Sequence, residues 1–324
     1  MRPHVLAVSK LPDPLLLSLD QNFRLHRQTH EIEPTRFDAE APHIRAAVVG
    51  GKFRLPRSLM ERMPALEIAA VVGAGYDGVD LPAALERGIL VTHTPAVHTG
   101  DVADFAMAML LSLGRQLPQA DRFVREGRWL TGLMPFGPSL SGRRVGLVGM
   151  GHVGRAVAAR AGAFGMTVAY TARTHKPELS HRFVPSVVDL AAQVDFLVVV
   201  ASGGDATRHL IGPAVLEALG PDGHLINVAR GTLVDQRALL EALARGSIAG
   251  AALDVFDGEP EVPRELMSMD NVLLAPHIAS ATRETRQAMF DLTVDNLRAH
   301  FAGDRPPHLV PECVHAPRRS ATRV

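Results

Sequence analysis

Residues 144–163 read RVGLVGMGHVGRAVAARAGA, and this stretch decides the architecture. RVGLV is a short apolar run of the kind that forms a strand buried on both faces. Gly149-Met150-Gly151-His152-Val153-Gly154 then matches GxGxxG, and RAVAARAGA continues with helical spacing. Glycines recur by chance, so the pattern alone is weak; the order strand, glycine turn, helix gives it weight. In that order Gly149 permits a tight turn, Gly151 lets backbone approach a pyrophosphate, and Gly154 lets helix and strand pack closely. The helix N-terminus adds unpaired N–H groups and the positive end of a dipole. A glycine-rich β–α turn without a ligand is the bland alternative, and this context disfavours it.

Working outward, apolar runs alternate with helical patterns, which is the signature of parallel α/β sheets. Downstream strands are expected at 167–171, 196–200, 224–228, 250–253 and 272–274, so with 144–148 the series has six. Six is the number that a full dinucleotide-binding sheet needs. Upstream, strands are expected at 4–8, 46–50, 68–72 and 90–92, with helices at 56–62 and 82–87. The segment DVADFAMAMLLSL, 101–113, reads as a helix apolar almost all round, buried between domains or subunits. Residues 127–141 are rich in Gly and Pro and read as an extended excursion. A last helix is expected at 285–301.

The 324 residues suggest two domains, since single cores rarely exceed about 250–300 residues. Lys plus Arg equals Asp plus Glu, a balance that gives no support to a general nucleic-acid or membrane role and leaves only a local basic patch open, so neither partner is expected. The single cysteine, Cys313, rules out an internal disulfide, and no Cys/His spacing suits a metal. No signal-peptide pattern opens the chain, and a cytoplasmic setting is expected. No run reaches the roughly 18–20 apolar residues of a membrane span.

A site for NAD usually carries an acid about 20 residues after the glycines, at the end of the second strand. Here Ala172 stands where the acid is expected, followed by Arg173, Thr174, His175 and Lys176. An acid there would repel a ribose 2′-phosphate, whereas an Arg fork with a Thr hydroxyl would bind one. NADP is therefore favoured over NAD, with NAD still possible. The competing reading is that Arg173 sits on a solvated loop or stacks on adenine.

Several pieces together resemble the D-isomer-specific 2-hydroxyacid dehydrogenase family, and within it the NADP-dependent glyoxylate/hydroxypyruvate reductases. They are GMGHVG at 149–154, YTART at 170–174, NVARGTLVD at 227–235, LDVFDGEP at 253–260 and LLAPHIASAT at 273–282. VGAGYDGVD at 72–80 and HTGDVADFAMAMLL at 98–111 also match, and the order and spacing of the set are specific. The resemblance implies an α/β fold of two domains. A Rossmann-type doubly wound parallel sheet, 99–283, is inserted into a smaller flavodoxin-like substrate domain, 1–98 with 284–324. It also implies a homodimer.

The implied chemistry is hydride transfer from NADPH to a small 2-oxo acid such as glyoxylate or hydroxypyruvate, giving the D-2-hydroxy acid. Such a reaction needs the carboxylate held, the carbonyl polarised and a proton delivered. By resemblance Arg230, Glu259 and His277 are the catalytic trio. An Arg fork holds carboxylate and carbonyl oxygens together, an imidazole delivers the proton, and a carboxylate orients and charges the ring. On sequence alone each has a plain competitor: a surface ion pair, one of 15 histidines, a loop acid before Pro260. The resemblance assigns the N–H groups of Ala74 and Gly75 to the substrate carboxylate. It assigns cofactor contacts to Thr99, Val102, Gly149, Met150, Gly151, His152, Val153, Gly154, Arg173, Thr174, Ala201, Ser202, Val228, Ala229, Asp254 and Ser280.

Two departures touch the substrate. Gly73 stands where many relatives carry Ser, and residues 129–136 offer Leu133, Met134 and Phe136 without a clear Trp match. Lys52, Phe53 and Arg54 could read distal hydroxyls, which keeps a larger acid such as 2-oxogluconate open. A dinucleotide-sensing corepressor that binds protein partners is the reading from another class.

Overall fold

The computed structural model describes residues 2–50 and 53–316. They fall into two compact units, one drawn from Met1–His98 and Thr282–Val324, the other from Thr99–Ala281.

The first unit holds a parallel sheet of β1 (His4–Ala7), β2 (Arg24–Arg27), β3 (Ile44–Gly50), β4 (Ile68–Val72) and β5 (Leu90–Thr92). Their order is β2-β1-β3-β4-β5, the flavodoxin-like order. β3 and β4 pair from Ala46↔Ile68 to Gly50↔Val72, and over those residues, AAVVG and IAAVV, they are covered on both faces, hence their apolar runs. β2 (RLHR) was not expected. It is an edge strand paired only with β1, and His26 is its one buried residue, so it shows no apolar pattern.

The helix Arg283–Ala302 closes this unit, burying Met289, Phe290, Val294 and Leu297 in its core. It begins two residues before the expected 285, because Thr282 is its N-cap and accepts from the Thr285 N–H at 3.1 Å. Gly303, in the left-handed region at φ 91°, ends it. Glu67 fastens the helix: it accepts from Arg45 through two bonds of 2.7 and 3.0 Å and pairs with His300 Nε2 at 2.9 Å.

The second unit holds β6 (Arg144–Val148), β7 (Thr167–Thr171), β8 (Arg182–Phe183), β9 (Phe196–Val199), β10 (His224–Asn227), β11 (Gly250–Leu253) and β12 (Val272–Leu274). All pairs are parallel, in the order β12-β11-β10-β9-β6-β7-β8. The order reverses between β6 and β9, the switch point at which such sheets bind ligands. Six strands were expected; the seventh, β8, is two residues long and only flanks β7.

The long apolar run forms the helix Thr99–Gly114, two residues longer at its start than the expected 101–113. Its Ala103, Ala106, Met107 and Leu110 belong to the second unit's own core. There it packs on the helix His152–Ala163, with Arg160 Nε donating to Asp104 at 2.6 Å. Small Ala residues allow that close approach. Residues 131–141 form no helix or strand, and Leu130, Leu133 and Phe136 are exposed, Phe136 fully. Among the described residues no helix is long and apolar enough to cross a membrane.

Burial disfavours the Glu67 carboxylate, but the His300 and Arg45 bonds outweigh it and hold its pKa below the ordinary value. A depressed carboxyl contributes its stability fully near neutrality and loses it as pH falls through the acid range. Glu67→Gln is therefore expected to cost about 1–3 kcal/mol at pH 7. Urea unfolding from pH 7 to pH 3 would show a weaker acid dependence in the variant than in the parent.

Candidate active site

Every strand of the larger sheet points its carboxyl end the same way, so the residues after β6, β7, β9, β10, β11 and β12 share one edge. Gly149–Gly154 follow β6, Arg173 and Thr174 follow β7, and Ala201 and Ser202 follow β9. Val228, Ala229 and Arg230 follow β10, Asp254 follows β11, and His277 and Ser280 follow β12. Thr99 and Val102 lie in the first turn of the helix Thr99–Gly114. Ala74 and Gly75 follow β4 in the other unit.

A Cβ on Gly149, at φ 107°, would lie 2.9 Å from Ala201 backbone, so the glycine turn is pressed against the end of β9. A Cβ on Gly154 would lie 2.3 Å from the Gly149 carbonyl oxygen, so helix and turn are in direct contact. A Cβ on Gly151 would meet nothing within 4 Å. The middle glycine thus opens on free space at the start of the 12-residue helix His152–Ala163, whose N-cap makes no side-chain bond. Open space beside unpaired N–H groups fits dinucleotide phosphates. Thr99 adds a buried hydroxyl without a partner among the described residues.

His277 and Glu259 form a pair: Nδ1 lies 2.7 Å from Oε2, with both side chains about a quarter to a fifth exposed. The other Glu259 oxygen accepts the Phe256 N–H at 3.0 Å. The carboxylate is therefore oriented before it meets the ring, and Nε2 is the ring nitrogen left for other chemistry. His277 itself sits in the left-handed region at φ 58°, which costs a non-glycine residue about 1–2 kcal/mol. Asp254 offsets that cost. Fully buried, it accepts the Ile278 N–H at 2.7 Å and the Ala279 N–H at 2.9 Å, the two groups that follow the bend. Burial pushes its carboxyl above the ordinary aspartate range, against the pull of those N–H groups and His277.

Arg230 is set by residues that the sequence reading did not single out. Asn227, fully buried at the end of β10, donates Nδ2–H to the Arg230 carbonyl at 2.9 Å and accepts the Ala229 N–H at 3.0 Å. A Cβ on Gly203 would touch the Arg230 Cγ at 2.8 Å, and one on Gly231 would overlap the Phe256 carbonyl carbon at 1.9 Å. The Arg230–Gly231 backbone thus lies flat on the segment leading to Glu259. Arg173 and Thr174 are exposed, and among the described residues Arg173 has no ion pair.

In the other unit the Ala74 carbonyl pairs with His93 Nδ1 at 2.8 Å, and the Thr94 N–H donates to Gly73 at 2.9 Å. The N–H groups of Ala74 and Gly75 have no acceptor among the described residues. Lys52 lies outside the described residues; Phe53 and Arg54 line an open groove with Val8 and Arg62.

Comparison with known proteins gives one family. Residues 107–279 match the profile described as D-isomer specific 2-hydroxyacid dehydrogenase, NAD binding domain. A glyoxylate/hydroxypyruvate reductase of Arabidopsis thaliana is 42% identical over 300 residues, covering 92% of this chain and 96% of the relative. A 2-ketogluconate reductase of Gluconobacter oxydans is 41% identical, covering 93% and 96%. Among solved structures, an NADPH-dependent glyoxylate/hydroxypyruvate reductase of Sinorhizobium meliloti, in complex with NADP and malonate, superposes with a TM-score of 0.92. It is 44% identical, with 99% of this chain and 100% of that chain covered.

Two glycines separate folding from binding at this edge. Gly231→Ala is expected to destabilise by at least about 3 kcal/mol, because backbone must move to admit a methyl group. Gly151→Ala should leave stability within about 0.5 kcal/mol of the parent. Calorimetry should nonetheless show weaker dinucleotide binding by Gly151→Ala; unchanged affinity would favour the turn without a ligand.

Proposed function

This chain belongs to the D-isomer specific 2-hydroxyacid dehydrogenase family, and on that premise we propose that it is an NADPH-preferring reductase of a small 2-oxo acid, glyoxylate or hydroxypyruvate, yielding the D-2-hydroxy acid. The observation that carries the chemistry is the 2.7 Å pair between His277 Nδ1 and Glu259. It turns one ring nitrogen inward and leaves Nε2 as the proton donor.

Bound NADPH supplies the hydride. The chain's own residues do the rest. Arg230 offers a planar fork to the substrate carboxylate and the carbonyl oxygen, which orients the carbonyl carbon and stabilises the charge growing on its oxygen. The N–H groups of Ala74 and Gly75, without an acceptor among the described residues, suit the substrate carboxylate. His277 Nε2–H donates its proton to the oxygen as it becomes a hydroxyl. Glu259 keeps Nδ1 protonated after transfer, so Nε2 is then the acceptor for the reverse reaction. Gly149–Gly154 would hold the pyrophosphate; by resemblance Asp254 would meet the nicotinamide carboxamide, and Thr99, Val102, Ala201, Ser202, Val228, Ala229 and Ser280 would make further cofactor contacts. Arg173 and Thr174 read the 2′-phosphate.

The similarity to the Sinorhizobium meliloti protein, described as NADPH-dependent, supports the cofactor and substrate together. The Gluconobacter oxydans relative favours 2-oxogluconate as the second substrate to test. Exposed Leu130, Leu133 and Phe136 support a homodimer, which light scattering at micromolar concentration would reveal.

Loss of absorbance at 340 nm should be fastest with NADPH plus glyoxylate or hydroxypyruvate, slower with NADH, and slowest with 2-oxogluconate. Binding without turnover on any acid would favour the corepressor-like reading. His277→Gln should lower kcat by about 10²–10⁴-fold with little change in NADPH affinity. Arg173→Ala should raise the KM for NADPH about tenfold or more and leave that for NADH nearly unchanged; equal effects on both would remove Arg173 from cofactor selection.

A further inference from the structure

Tyr170 is the last but one residue of β7 and is fully buried. A tyrosine in a core strand needs a partner for its hydroxyl. Tyr170 finds two on one residue: its oxygen accepts the Lys176 N–H at 2.8 Å, and its O–H donates to the Lys176 carbonyl at 3.3 Å. The strand therefore reaches past its own end and pins the chain six residues on.

The residues spanned are Thr171 to His175, which include Arg173 and Thr174. The far side of the loop is held to the same anchor. The Leu179 N–H also donates to the Lys176 carbonyl, at 3.0 Å. His175 lies 5.1 Å from the Phe183 ring, and Phe183 lies 5.4 Å from Tyr170. β8 pairs Phe183 with Tyr170 in register. The short strand β8 and the tyrosine hydroxyl thus clamp one loop from both ends, while Arg173 and Thr174 project into solvent.

We infer that Tyr170 is a positioning residue for cofactor selection: its hydroxyl holds the 171–176 loop in the shape that presents Arg173 and Thr174 to a ribose 2′-phosphate. The inference rests on the NADPH preference proposed above. A flexible loop must order its Arg on binding, and that entropy is lost from affinity. A loop already ordered by a buried bidentate contact avoids the loss. Because the tyrosine acts only through this loop, it should influence the phosphate-bearing cofactor and spare the other.

The test is calorimetric titration with adenosine 2′,5′-bisphosphate and with 5′-AMP, which differ in the 2′-phosphate. The parent should bind the bisphosphate more tightly. Tyr170→Phe should weaken that binding about three- to tenfold and leave 5′-AMP unchanged. In the Arg173→Ala/Thr174→Ala background Tyr170→Phe should have no further effect, since neither reader of the phosphate remains to be positioned; a purely structural role would persist there. If the parent discriminates and Tyr170→Phe discriminates equally well, or loses both ligands alike, the inference is overturned while the NADPH reading stands. If the parent shows no discrimination, both fall. Lys176→Pro removes the same N–H from the opposite side without touching the core. Read beside Lys176→Ala, it should reproduce the selective loss, so the test does not depend on one variant folding; its absence would overturn the inference.

Discussion

Asp254 is a carboxylate with no exposed surface, placed where β11 ends. Its two oxygens accept consecutive backbone N–H groups, those of Ile278 and Ala279. That arrangement requires the chain after β12 to turn through a left-handed residue, and the residue is His277. A histidine on an ordinary loop would sample many orientations. Here its backbone is held on one side by a buried anion and its ring on the other by Glu259. Burial of an acid is expensive unless its hydrogen bonds are met, and two N–H groups meet them. The direction of the imidazole therefore depends on an interaction outside the pair that carries the chemistry.

The rest of the edge is arranged by close backbone approach. Gly149 and Gly154 leave no room for side chains, and Gly231 lies flat on the Phe256 backbone. A Cβ on Gly151 would meet nothing within 4 Å. One motif thus contains glycines retained for opposite reasons: contact with protein, and absence of it. The free N–H groups of the helix His152–Ala163, Arg173 and Arg230 all lie on the carboxyl edge of one sheet, which makes that edge favourable to anions. Parallel strands make this inevitable, since every β–α connection starts from the same side.

Legibility followed burial. β4 and β11, and β3 and β6 beyond Arg45 and Arg144, are covered on both faces and appear in the sequence as apolar runs. β2 and β8 are edge strands with one neighbour each, and nothing in RLHR or RF sets them apart from loop. The helix Thr99–Gly114 was legible as a helix, but its neighbours were not. An all-apolar pattern does not name the neighbours that cover it, and the packing on the helix His152–Ala163 is a property of the fold. Asn227, Gly203 and the Tyr170 hydroxyl act on residues distant in the chain or on backbone atoms, which no local pattern encodes.

By itself, the sequence determined the alternation of strands and helices, the strand–GxGxxG–helix order and the missing acid after β7. Each is a local property, set by periodicity, by backbone freedom or by charge within a few residues. The family resemblance nominated Arg230, Glu259 and His277 but carried no distances. Only the tertiary structure decided that Glu259 meets His277 at 2.7 Å, that Asp254 fixes the bend beneath it, and that Tyr170 closes the loop bearing Arg173. Those contacts span strands paired across a sheet or segments folded back upon them. Their energies come from burial and mutual orientation, which exist only once the sheet has formed.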